Sequence, residues 1–149
     1  HFIDLALQLM PNSPDLVFAQ TDKMLHGTAV EDTALICISS RSGGQAVIET
    51  GYNFPDSLSK REYSFSLVGQ KHYVQSNSVG VTITRPGKVN EYLKMDLDSD
   101  PLYGVYTNAF IETLAQHKKV KVGLSELESA MKIVESAYAS AQSGQSIKV

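Results

Sequence analysis

Hydrophobic and polar positions along the chain change their spacing twice, and each change marks a new kind of predicted element. Apolar residues within 3–10 recur about one helical turn apart, which predicts a short helix that Pro11 ends. From residue 15 to residue 95, apolar residues run on or alternate with polar ones, as they do in strands. Helical spacing returns after residue 98. The pattern therefore predicts a short helix, a strand-rich middle and a helical tail.

The clearest local prediction is a β-hairpin near the start of the strand-rich middle. Residues 33–39 and 45–52 are rich in apolar and β-branched residues, and a glycine-containing turn separates them. One strand is predicted before the hairpin, from Asp15 to Leu25, and a loop is predicted after the hairpin, at 55–60. Four further strands are predicted at residues 63–68, 73–76, 81–85 and 91–95.

The first helix of the tail is predicted to run from Asp100 to about Gln116. Asp100 suits the N-cap position, and Pro101 suits the first helical position because a backbone N–H there would have no helical partner. One face of this helix is predicted to be apolar, and it consists of Leu102, Tyr106, Phe110 and Leu114.

The second helix of the tail is predicted to begin at Ser125. Ser125 and Glu128 have the spacing of a capping box, in which two backbone N–H groups are satisfied by side chains. Gly144 is the expected C-cap, and residues 146–149 are expected to return as a final strand. The buried stripe of this helix is predicted to be Leu127, Met131, Val134, Tyr138 and Ala141.

Strands followed by helices predict an α+β domain, with a mostly antiparallel open β-sheet and helices packed on one face. The second face of the sheet is also expected to be partly apolar. Ala34, Ile36, Val47 and Val81 are too many and too widely spread to face one layer of helices. An exposed apolar face usually marks an interface, so another domain or a second copy of the chain is expected to cover it.

Composition narrows the class of protein further. A chain of 149 residues is long enough for one domain with a single core. The net charge of −3 does not favour nucleic-acid binding, and no apolar run reaches the roughly 18–20 residues that span a membrane. The single cysteine, Cys37, excludes an internal disulfide and favours the cytoplasm. Because Cys37 lies in a continuous apolar run, a buried and unreactive thiol is expected.

Few residues have the spacing that chemistry requires. No group of His, Cys and Asp residues has metal-ligand spacing, so no metal site is predicted. No glycine-rich phosphate-binding pattern and no nucleophile with a suitable base is present, so neither a nucleotide site nor a hydrolase triad is predicted. Three histidines, His26, His72 and His117, are expected at the surface, in a loop, a turn and a helix end.

His1 and Asp4 are the polar residues that stand out, because they open a helix that is otherwise built to pack. The chain begins inside this helix without an initiator methionine, so we expect it to continue a longer protein. An imidazole, with an ordinary pKa of about 6.5, can exchange a proton with a substrate hydroxyl. Asp4 could orient the ring or stabilise the helix N-terminus. The alternative is that His1 remains from an expression tag and that Asp4 is only a first-turn acid.

Three segments resemble the glucose–fructose oxidoreductase / inositol dehydrogenase / MocA (Gfo/Idh/MocA) family, and they occur in the family's order. The start, HFIDLAL, is similar to the H-x-x-D-L segment. The hairpin, VEDTA followed by GGQAVIE, is similar to the family's V-E-D-T-A … G … I-E strand pair. The closing helix and strand of the family are similar to residues 127–149. The resemblance extends over the whole chain.

The resemblance implies that residues 1–149 are the C-terminal domain of a two-domain NAD(P)-dependent oxidoreductase. The partners implied are an N-terminal Rossmann domain, which would hold NAD or NADP, a sugar-like or polyol-like substrate, and further copies of the chain at the open sheet face. No cofactor is expected on residues 1–149 themselves, and the isolated fragment is expected to be inactive. The family's Glu-Lys-Pro segment has no match here, and its aspartate four residues before the histidine would precede His1.

Four residues match functional positions of the family. His1 matches the catalytic histidine, which helps to relay the hydroxyl proton, and Asp4 matches the acid that accompanies it. Tyr52 and Asn53 match a stretch that lines the substrate pocket, where a phenol and an amide could hydrogen-bond a polyol. Without the resemblance, Tyr52 and Asn53 are simply an aromatic residue and a loop asparagine at a strand end.

Two other functions compete with the oxidoreductase. The first is a free-standing α+β module that binds a ligand or acts as a scaffold without redox activity. The second is a small hydrolase or isomerase complete in itself, which would need a convergent set of titratable groups beyond His1 and Asp4. The sequence that precedes His1 would separate these possibilities.

Overall fold

The structure is a computed structural model that describes residues 1–54, 62–77, 79–95, 100–120 and 123–149. The chain forms two compact units. Unit 1 comprises His1–Leu58 and Lys121–Val149, and unit 2 comprises Ser59–Val120. The loop predicted at 55–60 lies outside the described residues.

The predicted α+β class with open antiparallel sheets is confirmed. Unit 1 contains a four-stranded sheet in the order β3-β2-β1-β8, with antiparallel pairing throughout. Its elements are α1 (Phe2–Leu9), β1 (Leu16–Asp22), β2 (Thr33–Ser39), β3 (Gln45–Gly51), α3 (Leu124–Ser143) and β8 (Ile147–Lys148). The short first helix, the strand after it and the final strand all occur where the sequence pattern predicts them.

The β2–β3 hairpin forms as predicted, with every residue from Thr33 to Ser39 paired to one from Gly51 back to Gln45. Gly43 and Gly44 in the turn have φ values of 109° and 102°, which side chains other than glycine rarely allow. The side-chain amide of Asn12 donates to the carbonyl oxygens of Ser42 and Gly43, at 3.2 and 3.1 Å. The segment after α1 is therefore fixed at the turn of the hairpin.

The core of unit 1 lies between its sheet and α3. Strands β1, β2 and β3 bury one face against the helix, and α1 packs beside them through partly buried apolar side chains. Burial of this continuous apolar surface is the main force that stabilises such a unit. The buried apolar residues are Val17, Ala19, Ile36, Ile38, Ile48, Ile133 and Ala137.

The predicted buried stripe of α3 is wrong. Leu127, Met131 and Tyr138 are 56%, 47% and 52% exposed, and Val134 and Ala141 are only half-buried. The buried residues of the helix are Ile133, Ala137 and Ser140. Apolar residues occupy more than one face of α3 at helical spacing, and small side chains on the buried face let the helix lie close to the strands.

The predicted capping box at the start of α3 is also wrong in its residues. The N-cap is Gly123, and its backbone N–H donates to the Glu126 carboxylate at 2.7 Å. Glu128 instead pairs with Lys132 one turn later, at 2.9 Å. The predicted C-cap is confirmed, because Gly144 ends the helix with φ of 69°.

Ser140 provides a hydrogen-bond acceptor for a backbone N–H at the edge of β1. Strand β8 pairs only with Leu16 and Val17 of β1, and further along this edge the Ala19 N–H donates to Ser140 Oγ at 3.0 Å. Ser140 is fully buried, and its hydroxyl donates to the Gln145 carbonyl at 2.6 Å. The side chain therefore replaces a strand partner that β8 does not provide.

Ser140→Ala is expected to reduce the free energy of unfolding by about 1–3 kcal/mol, because the buried Ala19 N–H loses its acceptor. The measurement is urea unfolding followed by circular dichroism. Ser129→Ala is the matched control, since Ser129 is exposed and its hydroxyl donates to the Ser125 carbonyl within the same helix, at 2.8 Å. Equal losses of stability in the two variants would contradict the role given to Ser140.

The outer face of the unit 1 sheet, away from α3, is partly apolar. Phe18, Cys37 and Val47 lie side by side on it, in register across three strands, and Val47 is 70% exposed. Cys37 is half-buried, so the prediction of a buried thiol is corrected. Side chains alternate along a strand, so Ala34 and Ile36 face the helices instead.

Unit 2 contains the second open sheet, in the order β4-β5-β6-β7, again antiparallel throughout. Its elements are β4 (Ser66–Val68), β5 (Tyr73–Asn77), β6 (Gly80–Thr84), β7 (Glu91–Lys94) and α2 (Asp100–Ala115). Strand β4 is shorter than predicted, and the spacing gives no sign that the strands divide between two sheets. The side chains predicted to cap and begin α2, at positions 100 and 101, are not among those that the structure describes.

The predicted apolar face of α2 is present but exposed. Tyr106 and Phe110 stack on each other with ring centroids 6.2 Å apart. All four residues of the face, Leu102, Tyr106, Phe110 and Leu114, remain exposed. None of the helices, as far as the chain is described, is both long and apolar enough to cross a membrane.

Candidate functional site

His1 lies at the N-cap of α1 and is exposed. Its backbone carbonyl accepts the Leu5 N–H at 3.0 Å, and its side chain does not cap the helix. Among the residues that the structure describes, none forms a hydrogen bond or ion pair with the imidazole.

Asp4 occupies the first turn of α1, where a carboxylate stabilises the helix N-terminus. Its Oδ2 accepts the Gln8 side-chain amide at 2.8 Å. The carboxylate is thus held by a residue one turn further along, and not by His1. Of the two roles that the sequence allows Asp4, the structure shows the geometry for the helix N-terminus.

Tyr52 and Asn53 follow directly after β3 and are exposed. The Tyr52 N–H donates to the Asp32 carbonyl at 2.7 Å, which continues the hairpin by one more bond. The side chain of Tyr52 is 62% exposed. A phenol and an amide at this strand end are available to a ligand.

The structure brings these residues to the same unit but not into contact. A side chain at Gly44, in the hairpin turn, would lie 2.9 Å from Pro11 just after α1, so the end of α1 is fixed at the turn. His1 is at the other end of α1, and Tyr52 is beyond the other end of β3. Both lie away from the turn, and no described hydrogen bond joins them. A shared site remains a prediction.

Asp32 is a residue that the sequence analysis missed. Asp32 is only 3% exposed. Its Oδ2 accepts the N–H groups of Leu25 and His26, at 3.0 and 2.9 Å. Its Oδ1 is buried and has no hydrogen-bond partner in the described structure. The signal available was an aspartate next to a loop, since such side chains often bond to nearby backbone N–H groups.

His26 was expected at the surface, and the structure corrects this expectation. The residue is half-buried, and its Nε2 lies 2.6 Å from the Tyr52 carbonyl oxygen. A carbonyl oxygen only accepts, so Nε2 carries the proton. His72 and His117 are exposed, as predicted.

Glu31, next to Asp32, accepts a hydrogen bond from the Tyr138 hydroxyl of α3. This bond raises the pKa of Tyr138 above its ordinary 10.0, and partial burial and the negative charge of Glu31 raise it further. The phenol must keep its proton to donate. The bond therefore stabilises the folded unit below pH 10, and this contribution is lost as the pH rises through the raised pKa.

Tyr138→Phe is expected to remove a tyrosine that ionises above pH 10 from the alkaline titration. The stability of the wild type should then fall more steeply above pH 10 than that of the variant, since only the wild type loses the Glu31 bond. Tyrosinate absorbance and urea unfolding across the alkaline range measure the two effects. Identical alkaline profiles in both proteins would be evidence against the bond.

Gly51, at the end of β3, lies very close to the start of β2. A Cβ at this position would lie 2.9 Å from Thr33 Cα and 2.7 Å from Asn53 Oδ1, and it would also collide with the Asp32 carbonyl oxygen. Two of these three atoms are backbone and cannot turn aside. Only glycine therefore lets the strand end approach Asp32 this closely.

Gly51→Ala is expected to cost about 1–3 kcal/mol of folding free energy, as overpacking does when backbone must shift. Urea unfolding gives the value. In Gly104→Ala the new Cβ would meet no atom within 4 Å, and alanine favours a helix, so this control should be as stable as the wild type or more so. A Gly51→Ala variant as stable as this control would contradict the close approach.

A cleft of about 540 Å³ lies between α1 and the first half of α3. It contains Asp4, but His1, Tyr52 and Asn53 do not line it. The cleft therefore does not unite the predicted site residues.

The charged side chains that line this cleft already have hydrogen-bond or ion-pair partners. Asp4 bonds to Gln8, Lys132 to Glu128, and Glu126 to the backbone of Gly123.

Neither a metal ion nor a dinucleotide has an evident place among the described residues. No group of three or more His, Cys, Asp and Glu side chains there could hold a metal ion. The sequence has no glycine-rich loop opening a helix, which a dinucleotide pyrophosphate needs.

No protein-family model matches the sequence, and no curated protein sequence matches it either. Solved structures do match. An oxidoreductase from Agrobacterium radiobacter, in complex with NAD+, L-tartaric acid and magnesium, has a TM-score of 0.81 at 16% identity. The aldose-aldose oxidoreductase from Caulobacter crescentus, complexed with glycerol, has a TM-score of 0.77 at 16% identity. The WlbA dehydrogenase from Bordetella pertussis, with NADH and UDP-GlcNAcA, has one of 0.75 at 19% identity.

These structural neighbours are oxidoreductases of the Gfo/Idh/MocA type. The chain has their fold. The likeness covers 99–100% of this chain but only 44–46% of each of the three neighbours, so the chain spans less than half of their length. The fold implied by the Gfo/Idh/MocA resemblance is thus confirmed, while at these identities the activities and ligands are those of the neighbours.

Proposed function

We propose that this chain is the C-terminal, substrate-binding and oligomerisation domain of an NAD(P)-dependent oxidoreductase that acts on a sugar, a polyol or a similar alcohol or ketone. The observation that carries the proposal is the match of nearly the whole chain to less than half of longer oxidoreductases. Two of these are named for an aldose reaction or bound to a sugar nucleotide. A cytoplasmic location, which the single cysteine favours, is part of the proposal.

In the proposal two domains share the reaction. The redox chemistry belongs to NAD or NADP on a preceding Rossmann domain, and the partial coverage of the longer oxidoreductases supports this assignment. This chain would hold the substrate and handle its proton. In the proposal an imidazole nitrogen of the exposed His1 takes the hydroxyl proton, and Asp4 supports the helix end that carries it.

Tyr52 and Asn53 are the proposed contacts to the substrate. Both side chains are exposed at the end of β3, while the backbone of Tyr52 is fixed by two hydrogen bonds. A phenol and an amide together provide donors and acceptors for a polyol. A fixed backbone lowers the ordering cost that a ligand must offset when it binds these two side chains.

The outer face of the unit 1 sheet is the proposed oligomer interface. Phe18, Cys37 and Val47 form its apolar centre, and Leu35 lies beside them on the same face. A sheet face of this kind is usually covered in a soluble assembly. The proposed partner is a second copy of the chain.

The test of the proposal is an assay of the whole polypeptide that contains this chain, expressed with the coding region before His1. We expect it to reduce NAD+ or NADP+ with at least one member of a panel of aldoses and polyols, followed by nicotinamide absorbance. Residues 1–149 alone should show no turnover. If the whole polypeptide binds neither dinucleotide, the oxidoreductase is excluded and a ligand-binding or scaffold module replaces it.

A further inference from the structure

The loop between β1 and β2 is closed by one side chain. Asp32, at its end, accepts the backbone N–H groups of Leu25 and His26 near its start, at 3.0 and 2.9 Å. Within the loop, the Thr28 hydroxyl donates to the Val30 carbonyl at 2.8 Å. We call residues 23–32 the β1–β2 loop. These internal bonds set its shape.

The β1–β2 loop is also tied to the body of unit 1. The Asp32 N–H donates to the Asp22 carbonyl at 2.9 Å, which joins the end of the loop to the end of β1. Glu31 accepts the Tyr138 hydroxyl, which joins the loop to α3. Because the loop is bonded to both a strand and a helix, its own position is fixed, and a segment that bonds to it is fixed as well.

The β1–β2 loop fixes the residues that follow β3, Tyr52 and Asn53, which we call the exit of β3. The ladder between β2 and β3 ends with the pair Thr33 and Gly51. Beyond it, both backbone groups of Tyr52 bond to the loop, its N–H to the Asp32 carbonyl at 2.7 Å and its carbonyl oxygen to His26 Nε2 at 2.6 Å. The phenol takes no part in these bonds, and the residue stays 62% exposed.

We propose that His26 is a positioning residue which, with Asp32 as its anchor, fixes the backbone of Tyr52 and Asn53 so that their side chains are presented to the substrate. The inference rests on the proposed function where it assigns substrate contacts to these two residues. Asp32 sets the direction of His26 through its backbone N–H, and His26 fixes Tyr52 through its ring. Neither residue needs to touch the substrate.

The chemistry of this contact selects the variants for the test. The ring must donate to a carbonyl, and glutamine keeps an N–H donor at the end of a side chain of similar reach, whereas leucine keeps bulk without a donor. His26→Leu should therefore release the exit of β3, and His26→Gln should retain it. His72→Leu is the matched control, because His72 is exposed in a turn of unit 2.

The first measurement is hydrogen–deuterium exchange by mass spectrometry on the whole polypeptide that carries this chain. In His26→Leu, peptides that cover residues 51–54 should exchange roughly five to ten times faster, the factor that one lost hydrogen bond gives. Peptides within β2 should be unchanged, which shows that unit 1 remains folded. Wild-type exchange rates at 51–54 in His26→Leu overturn the inference, and so does equally fast exchange in His26→Gln.

The second measurement is the dependence of turnover on substrate, using the aldose or polyol that the wild-type polypeptide turns over. His26→Leu should raise KM several-fold with kcat largely kept, and His26→Gln should restore KM. A normal KM together with fast exchange overturns the role in substrate positioning. Failure of the proposed function is seen separately, as a wild-type polypeptide without turnover, and the exchange result still decides whether His26 fixes the strand exit.

Discussion

Ile133→Ala is expected to destabilise unit 1 by about 2–5 kcal/mol, the range found when a large buried aliphatic side chain is truncated. Ile133 is 1% exposed and lies in the core with Val17 and Ile38, which are equally buried. The variant loses the burial of the removed carbons and leaves a cavity between α3 and the sheet. Urea unfolding measures the loss as a lower midpoint at unchanged slope.

The matched control is Leu127→Ala on the same helix. Leu127 is 56% exposed, so its truncation should change the stability by no more than about 0.5 kcal/mol. The sequence pattern alone predicts the reverse, because it places Leu127 in the buried stripe. A larger loss in Leu127→Ala than in Ile133→Ala would show that the helix packs through the stripe predicted from the sequence.

His1→Asn in the whole polypeptide is expected to lower kcat about 10²–10⁴-fold, the usual contribution of a positioned acid or base. Asparagine keeps polarity at the helix N-terminus but cannot take up a proton. KM should change little, since the proposed role is in proton transfer and substrate contacts are assigned to Tyr52 and Asn53. Steady-state kinetics with the substrate found for the wild type give both constants.

His72→Asn is the control for this experiment, because His72 is exposed in a turn of unit 2. It should leave kcat and KM unchanged. If His1→Asn and His72→Asn have the same kcat, His1 has no part in the chemistry. The hydrogen bond between Asp4 and Gln8 does not involve His1, so the helix should keep its structure in the variant.

The parts of the fold that the sequence predicted are those that local rules determine. The β2–β3 hairpin depends on strand-forming residues and on Gly43 and Gly44 in the turn, and all of these lie within a few residues of one another. The end of α3 depends on one glycine. The packed face of α3 depends on which side chains let it approach the sheet, and spacing along one helix does not contain that information.

The candidate site also has a part that the sequence predicted and a part that only the folded structure shows. His1, Asp4, Tyr52 and Asn53 were identified through segments that resemble the Gfo/Idh/MocA family, and the structure places them in one unit without joining them. The contact between His26 and Tyr52 could not be predicted, because it joins a ring to a backbone carbonyl 26 residues away. Backbone acceptors have no sequence signature, so such contacts appear only once the chain is folded.

The most direct test of the central claim is the sequence of the coding region immediately before His1. The account predicts about 100–200 further residues, one domain's length, with a strand, a G-x-G-x-x-G turn and a helix, then a Glu-Lys-Pro segment and an aspartate four residues before His1. A start codon directly ahead of His1, or an unrelated linker, would contradict it. His1 would then lose its proposed role, and the chain would be a binding module without redox activity.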